Sequence, residues 1–154
     1  MVERPLKNQN LCQVTALDYS NQGIRVIKEK ASAMGLSHSV MALSHDESFD
    51  ACYSYMLFCM ALTTVELEFL FSEVRRVLKP GGLNLYTVRH TGDPHYGKGI
   101  HRGEDMYEVG GFIVHFFNKQ KVEHLAKGYE INSIDEFEED ELPRKLFLVT
   151  LRKE

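Results

Sequence analysis

Residues 63–88, "TTVELEFLFSEVRRVLKPGGLNLYTV", contain the signals that decide the fold. Thr63 and Glu66 have the spacing of a capping box, in which the two side chains satisfy free N–H groups at the start of a helix. The lysine, proline and two glycines at 79–82 end that helix, and "LNLYTV" then predicts a strand over 83–88. The apolar side chains of the helix form one wide face, made of Leu67, Leu70, Phe71, Val74 and Leu78.

Strands and helices alternate on both sides of this stretch. Upstream, "VTALDYS" (14–20) predicts a buried strand, residues 21–35 a helix, and "FDACYSYMLFCMAL" (49–62) a strand that passes into a loop. Downstream, Asn118 is placed to cap a short helix, and "YEINSIDEF" and "LFLVTLRK" predict a closing antiparallel pair. This alternation predicts an α/β fold with a mostly parallel sheet and helices on both faces.

Residues 89–115, "RHTGDPHYGKGIHRGEDMYEVGGFIVH", differ in composition from the rest of the chain. They are rich in glycine, histidine and charged residues, and they show no periodicity of their own. Long segments of this kind are usually functional loops, so we expect a flexible loop that covers a substrate.

Length and charge exclude several classes of protein. The 154 residues suffice for one domain, and we expect a single domain over 1–154. The net charge of -4 disfavours nucleic acid as a partner, which leaves a small molecule as the expected one. No apolar run is long enough for a membrane span, and the start of the chain lacks a secretory signal. Three cysteines at no metal-ligand spacing favour a reducing, cytoplasmic setting: Cys12, Cys52 and Cys59.

The chain resembles a class I S-adenosylmethionine-dependent methyltransferase, of the type labelled methyltransferase domain 11 or 25. The resemblance rests on "TALDYS", "SFDACYS", "EVRRVLKPGG" with "LNLYTV", and the end "GYEINSIDEFEEDELPRKLFLVTLRK". It implies a Rossmann-like, seven-stranded sheet in the order 3-2-1-4-5-7-6, with strand seven antiparallel. It also implies that this chain starts at the family's second strand, because no glycine occurs among the 17 residues before Asp18. The first strand and the glycine-rich cofactor loop are then missing.

The resemblance assigns the cofactor residues. Asp18 would accept hydrogen bonds from the ribose hydroxyls of S-adenosylmethionine, and Tyr19 would lie along the adenosine. Asp46 is the candidate acid beside the adenine. The residues near the methionine part of the cofactor would be Ser54, Tyr55 and Met56. Without the resemblance, Asp18 equally fits a cap on the following helix, and the residues after "FDACY" equally fit packing at a strand end.

The resemblance also implies that residues 89–115 cover the substrate. The candidates for substrate binding there are Arg89, His95, Tyr96 and His101. A histidine in this region could remove a proton from the acceptor, since its ordinary pKa is about 6.5. A solvated loop is the competing interpretation of the same residues, and for any single histidine it is the favoured one. A metal site made by His95 and His101 is disfavoured, because their spacing is not that of metal ligands, and no catalytic residue is assigned.

Three functions therefore remain open. The first is methyl transfer to a small molecule, impaired in this chain by the missing glycine loop. The second is a non-catalytic remnant that serves as an interaction module. The third is an NAD(P)-dependent oxidoreductase, which the "KPGG" turn and the closing hairpin disfavour. The missing strand would leave strand edges without partners, so we also expect association into homo-oligomers.

Overall fold

The computed structural model describes residues 46–139 and 143–154. Seven strands and two helices lie in this part of the chain. They are β1 Phe49–Tyr55, α1 Thr64–Val77, β2 Leu78–Arg89, β3 Ile100–His101, β4 Met106–Val109, β5 Phe112–His115, α2 Lys119–Leu125, β6 Tyr129–Glu139 and β7 Arg144–Lys153. Both helices and the four longer strands lie where the sequence predicts them. The strand and helix predicted over 14–35 lie outside the described residues.

The four longer strands form one sheet in the order β1-β2-β7-β6. β1 and β2 are parallel, whereas β7 is antiparallel to both β2 and β6. This is the order expected for strands 4-5-7-6 of the methyltransferase sheet. The prediction of a missing first strand concerns residues outside the described part of the chain.

Helix α1 begins and ends as its sequence predicts. The backbone N–H of Thr63 donates to Glu66 Oε2 over 2.8 Å, and the N–H of Glu66 donates to Thr63 Oγ1 over 3.4 Å. After the last helical residue, the turn needs glycine at two positions. Gly81 has a φ of 76°, and a Cβ on Gly82 would lie 2.8 Å from the carbonyl oxygen of Lys79. The capping box is therefore confirmed, and the two glycines lie in the first part of β2, where its pairing with β1 is irregular.

Replacing Thr63 by alanine is expected to lower the free energy of unfolding by about 1 kcal/mol, because the helix loses the acceptor for its N3 amide. Urea unfolding followed by circular dichroism measures the change. Thr63→Ser keeps the hydroxyl and should retain most of the stability. Equal stability of all three proteins would contradict the assigned cap.

The core lies between the sheet and the two helices. Its centre is a cluster of three aromatic rings, in which the centroids of Phe58 and Phe71 are 4.6 Å apart and Tyr86 meets both rings edge-on at 5.3 Å. Burial of one such side chain stabilises the fold by about 1.5–3 kcal/mol. Aliphatic side chains complete the core: Leu67, Leu78, Val88, Val122, Leu125, Val149 and Leu151.

Residues 89–115 contain a second, three-stranded sheet, in which β3, β4 and β5 pair antiparallel. We call β3–β5 the cap sheet. The prediction of a loop without regular structure is thus wrong, and its glycines have structural reasons. Gly99 has a φ of 75°, and a Cβ there would lie 2.0 Å from the carbonyl oxygen of Glu108. Gly110 and Gly111, both at positive φ, form the turn between β4 and β5.

Candidate functional site

A cavity of about 400 Å³ lies at the carboxyl ends of β1 and β2. β7 runs antiparallel to β2, so its amino end reaches the same edge of the sheet. Open α/β sheets bind ligands in the crevice at the carboxyl ends of their strands. The lining residues come from the end of β1 and the loop after it, from the end of β2 and the loop that follows, from the cap sheet, and from the start of β7 with the residue before it. They are Tyr55, Met56, Cys59, Met60, Arg89, His95, Val109, Phe112, Ile113, Val114, Pro143 and Arg144.

The polar side of the cavity is built on one buried ion pair. Arg89, the last residue of β2, donates from Nε to Asp93 Oδ2 over 3.0 Å and from Nη2 to Asp93 Oδ1 over 2.6 Å. The backbone N–H groups of His95 and Lys145 also donate to this carboxylate, over 2.8 and 2.9 Å. The guanidinium lies 5.3 Å from the centre of the Phe116 ring. Asp93 therefore fixes both the arginine and the following loop.

The environment of Asp93 keeps it ionised. Burial acts to raise the pKa of its carboxyl group, but the hydrogen bonds from Arg89 and from two backbone amides, with the arginine charge, hold that pKa below its usual value. The negative charge thus matches the buried positive charge of Arg89, and the pair adds no net charge to the cavity.

This lowered pKa predicts a dependence of stability on pH. A carboxyl group whose pKa is lower in the folded state stabilises the fold above its unfolded pKa of about 3.9. That stabilisation is lost as the pH falls through the lower, folded value. Urea unfolding of the wild type and Asp93→Asn at several pH values should show a steeper loss for the wild type below about pH 4. Parallel curves for the two proteins would contradict the assignment.

A second arginine at the cavity also has a carboxylate partner. Arg144 Nη1 lies 3.3 Å from Glu139 Oε2. The hydroxyl of Tyr55 donates to the same carboxylate, and this hydrogen bond raises the pKa of the tyrosine. Most other lining side chains are apolar, so the cavity combines an apolar wall with charges that are already paired.

The cap sheet is fastened to the loop after β1 by a buried polar cluster. His115, at the end of β5, lies with Nδ1 2.6 Å from the carbonyl oxygen of Leu62, and its backbone N–H donates to the carbonyl of Cys59. Its Nε2 contacts Lys121 Nζ, which also lies 3.6 Å from Asp105 Oδ2. Burial lowers the pKa of His115. The cluster holds the cap sheet over the cavity.

The structure separates the predicted cofactor residues. Tyr55 lines the cavity, whereas Ser54 is buried in β1 and is not among the lining residues. Asp46 precedes the amino end of β1, which is the opposite end from the cavity, and its carboxylate pairs with Arg76. Two other predicted cofactor residues, Asp18 and Tyr19, are outside the described part of the chain.

The predicted substrate residues are also divided. Arg89 and His95 line the cavity. Tyr96 does not, since its hydroxyl donates to Asp105 over 3.0 Å and its ring packs within the cap sheet region. His101 is exposed on β3, with Nε2 2.8 Å from a carbonyl oxygen of the following turn. Two of the four predicted residues thus lie together at the cavity.

Several cavity residues, and the buried carboxylate of Asp93 beside them, were not predicted from the sequence. Asp93 was missed because its partners, Arg89 and the backbone of Lys145, meet only in the folded chain. The apolar run 112–114 belongs to β5 and not to a loop, and two glycines followed by apolar residues are a signal for a hairpin strand. Met60, Pro143 and Arg144 gave no signal that could have placed them there.

The comparisons with known proteins agree with this architecture. A protein from Pyrococcus horikoshii OT3 is 22% identical, with 92% of this chain and 72% of that chain covered and a TM-score of 0.73. A SAM-dependent methyltransferase from Methanosarcina mazei is 21% identical, with 90% and 81% covered and a TM-score of 0.71. The 1,6-didemethyltoxoflavin-N1-methyltransferase from Burkholderia thailandensis, solved with 1,6-didemethyltoxoflavin and S-adenosylhomocysteine, is 12% identical, with 92% and 61% covered and a TM-score of 0.68. No curated protein sequence matches the chain.

The fold is therefore that of the class I S-adenosylmethionine-dependent methyltransferases. The model of the methyltransferase domain family matches residues 2–86, more than half of the sequence, and the chain belongs to that family. Neither helix in the described part of the chain has the length and apolar character to cross a bilayer.

Proposed function

We propose that this protein transfers a methyl group from S-adenosylmethionine to a small molecule bound in the cavity at the carboxyl ends of β1 and β2. The observation that carries the proposal is the position of this cavity, between the loop after β1 and the cap sheet, in a chain of the methyltransferase domain family. The Burkholderia thailandensis enzyme of the same fold supports it, because that enzyme was solved with a small-molecule ligand and S-adenosylhomocysteine.

The electrostatics of the cavity fit this cofactor. When bound, S-adenosylmethionine supplies a methyl group on a positively charged sulfur. Two unpaired arginines beside it would repel that charge, but Arg89 is matched by Asp93 and Arg144 by Glu139. Within the described residues, the proposed contact with the methionine part is Tyr55, at the cavity, with Ser54 next to it in β1. For the adenosine we propose Asp18 and Tyr19, and we leave out Asp46, which lies at the other end of β1.

The protein's contribution to such a reaction is mainly orientation. Methyl transfer requires the acceptor atom in line with the breaking carbon–sulfur bond, and a fixed geometry supplies much of the rate. The hydrogen-bonded Arg89–Asp93 pair provides a rigid polar side, and apolar residues of the cap sheet line the opposite side.

We expect weak binding of the cofactor by this chain alone. The 17 residues before Asp18 contain no glycine, and glycine is the residue that lets a backbone approach a bound ligand most closely. Loss of several such hydrogen bonds costs a few powers of ten in affinity. Isothermal titration with S-adenosylhomocysteine should give a dissociation constant far above the micromolar range. A value in the low micromolar range would contradict this expectation.

A direct test of the function uses S-adenosylmethionine with a carbon-13 methyl group and a mixture of small aromatic alcohols, amines and acids. Mass spectrometry should detect a labelled product and S-adenosylhomocysteine in equal amounts. Met60→Glu puts a charge at the cavity and should abolish the product, whereas Phe69→Glu on the exposed face of α1 should not. Absence of product, together with absence of cofactor binding, would favour the non-catalytic interaction module instead.

Association into homo-oligomers and a cytoplasmic setting stay predictions. The predicted sheet gap, on which the expected association rests, concerns residues outside the described part of the chain. Light scattering at increasing protein concentration tests it, and a monomer at every concentration would contradict it.

A further inference from the structure

The side chain of His95 lines the cavity and is about 38% exposed. Its Nδ1 lies 2.7 Å from Nη2 of Arg89 and 3.3 Å from Oδ1 of Asp93. A guanidinium has donors and no acceptor, so at 2.7 Å the arginine N–H must point at a lone pair of the ring. Nδ1 is then the unprotonated nitrogen, and the single ring proton resides on Nε2.

The position of the arginine is not free to change. Its Nε and Nη2 both donate to the buried carboxylate of Asp93, and that carboxylate is held in turn by two backbone amides. The arginine therefore determines the tautomer of the His95 ring. In metal sites, the hydrogen bond at the nitrogen that does not bind the metal determines the histidine tautomer in the same way. With Nδ1 occupied, Nε2–H is the group that remains for a ligand, and among the described residues it has no hydrogen-bond partner.

We infer, on the basis of the proposed function, that His95 binds the methyl acceptor by donating a hydrogen bond from Nε2, and that the acceptor is an uncharged, largely apolar molecule with an oxygen or aromatic nitrogen lone pair at that point. An Nε2 that already has its proton does not remove one. His95, in this tautomer, is therefore not the histidine of residues 89–115 that would remove a proton from the methyl acceptor.

The rest of the cavity supports an uncharged acceptor. Met56, Met60 and Phe112 provide an apolar wall, and the two arginines have carboxylate partners. An anionic acceptor would compete with Asp93 or Glu139 for a cation that is already paired, at a cost in desolvation. An apolar frame with one acceptor atom matches both the wall and the Nε2–H donor of His95.

The tautomer is measured by long-range proton–nitrogen NMR on protein labelled with nitrogen-15 histidine, at about neutral pH. The signal of His95 is the one that disappears in His95→Gln. We expect an unprotonated Nδ1 and a protonated Nε2, and Arg89→Met should remove the preference. A proton on Nδ1 in the wild type would overturn the inference.

Ligand binding is tested with three probes of similar size: acetophenone, ethylbenzene and benzoate. Acetophenone should shift the Nε2 signal and bind more tightly than benzoate, whereas ethylbenzene should leave Nε2 unchanged. His95→Gln keeps an N–H near the position of Nε2, and His95→Leu removes it at similar volume. Acetophenone affinity should fall about three- to tenfold in His95→Leu and remain near the wild-type value in His95→Gln.

Equal losses in both variants, or no effect of acetophenone up to its solubility limit, would overturn the inference. Urea midpoints near that of the wild type show that both variants fold. Binding of S-adenosylhomocysteine is measured separately, in the absence of the probes. If the probes behave as expected and S-adenosylhomocysteine does not bind, the proposed function fails and the donor role of His95 stands. If S-adenosylhomocysteine binds and the probes do not behave as expected, the donor role of His95 fails and the proposed function stands.

Discussion

Asp93→Asn is expected to lower the free energy of unfolding by about 3–5 kcal/mol. The carboxylate is buried and accepts hydrogen bonds from Arg89 and from the backbone of His95 and Lys145. Asparagine removes its charge and leaves the guanidinium buried without a counter-charge. An unpaired buried charge is far more costly than the loss of an exposed pair, so this substitution should have one of the largest effects in the chain.

Asp50→Asn is the matched control. Asp50 also pairs with a cation, Lys79, over 2.8 Å, but its side chain is 87% exposed. Water and salt screen such a pair, and its loss should change the free energy of unfolding by about 0–1 kcal/mol. Urea denaturation of both variants gives the comparison. Similar losses for the two substitutions would show that Asp93 is not the buried centre described above.

Phe71→Ala should cost a similar amount, about 3–5 kcal/mol, for a different reason. The ring is buried in α1 and contacts Phe58 and Tyr86. Truncation removes these contacts and leaves a cavity that the sheet and helix cannot close completely. Two residues earlier on the same helix, Phe69 is 64% exposed. Phe69→Ala should change stability by less than about 0.5 kcal/mol, and a large effect there would mean that the two faces of α1 are assigned incorrectly.

Local signals explain why much of the fold could be predicted. The start of α1 depends on Thr63 and Glu66, which are three residues apart, and its end depends on the glycines directly after it. The closing pair of strands is formed by neighbours in the sequence. In each case the residues that decide the structure lie close together in the chain, so the pattern was sufficient.

The cap sheet could not be predicted in the same way. Its strands have two to four residues, which is too short for a periodic pattern, and its glycines are also typical of loops. Gly99 is required by the backbone of Glu108, a contact that exists only after the strands pair. The site was also predicted only in part. Arg89 and His95 could be proposed as single residues, but no pattern in the sequence indicated that the carboxylate of Asp93 connects them in the folded chain.

The position of Asp46 shows a further limit. An acid before the "SFD" strand resembles the family's adenine-binding acid, but the end of the strand at which a residue lies depends on where the strand begins. β1 begins at Phe49, so Asp46 is at its amino end and pairs with α1. Similarity to the family thus predicted an acidic residue at this position, but the start of β1 determines which groups Asp46 contacts.

The central claim is that the cavity at the carboxyl ends of β1 and β2 lies beside the cofactor. Methyl NMR with carbon-13 methionine tests it most directly, because Met56 and Met60 line the cavity and Met106 is buried in the cap sheet without lining it. Titration with S-adenosylhomocysteine to millimolar concentration should shift Met56 and Met60 in a saturable manner and leave Met106 unchanged. Unchanged signals from Met56 and Met60 throughout the titration would contradict the account.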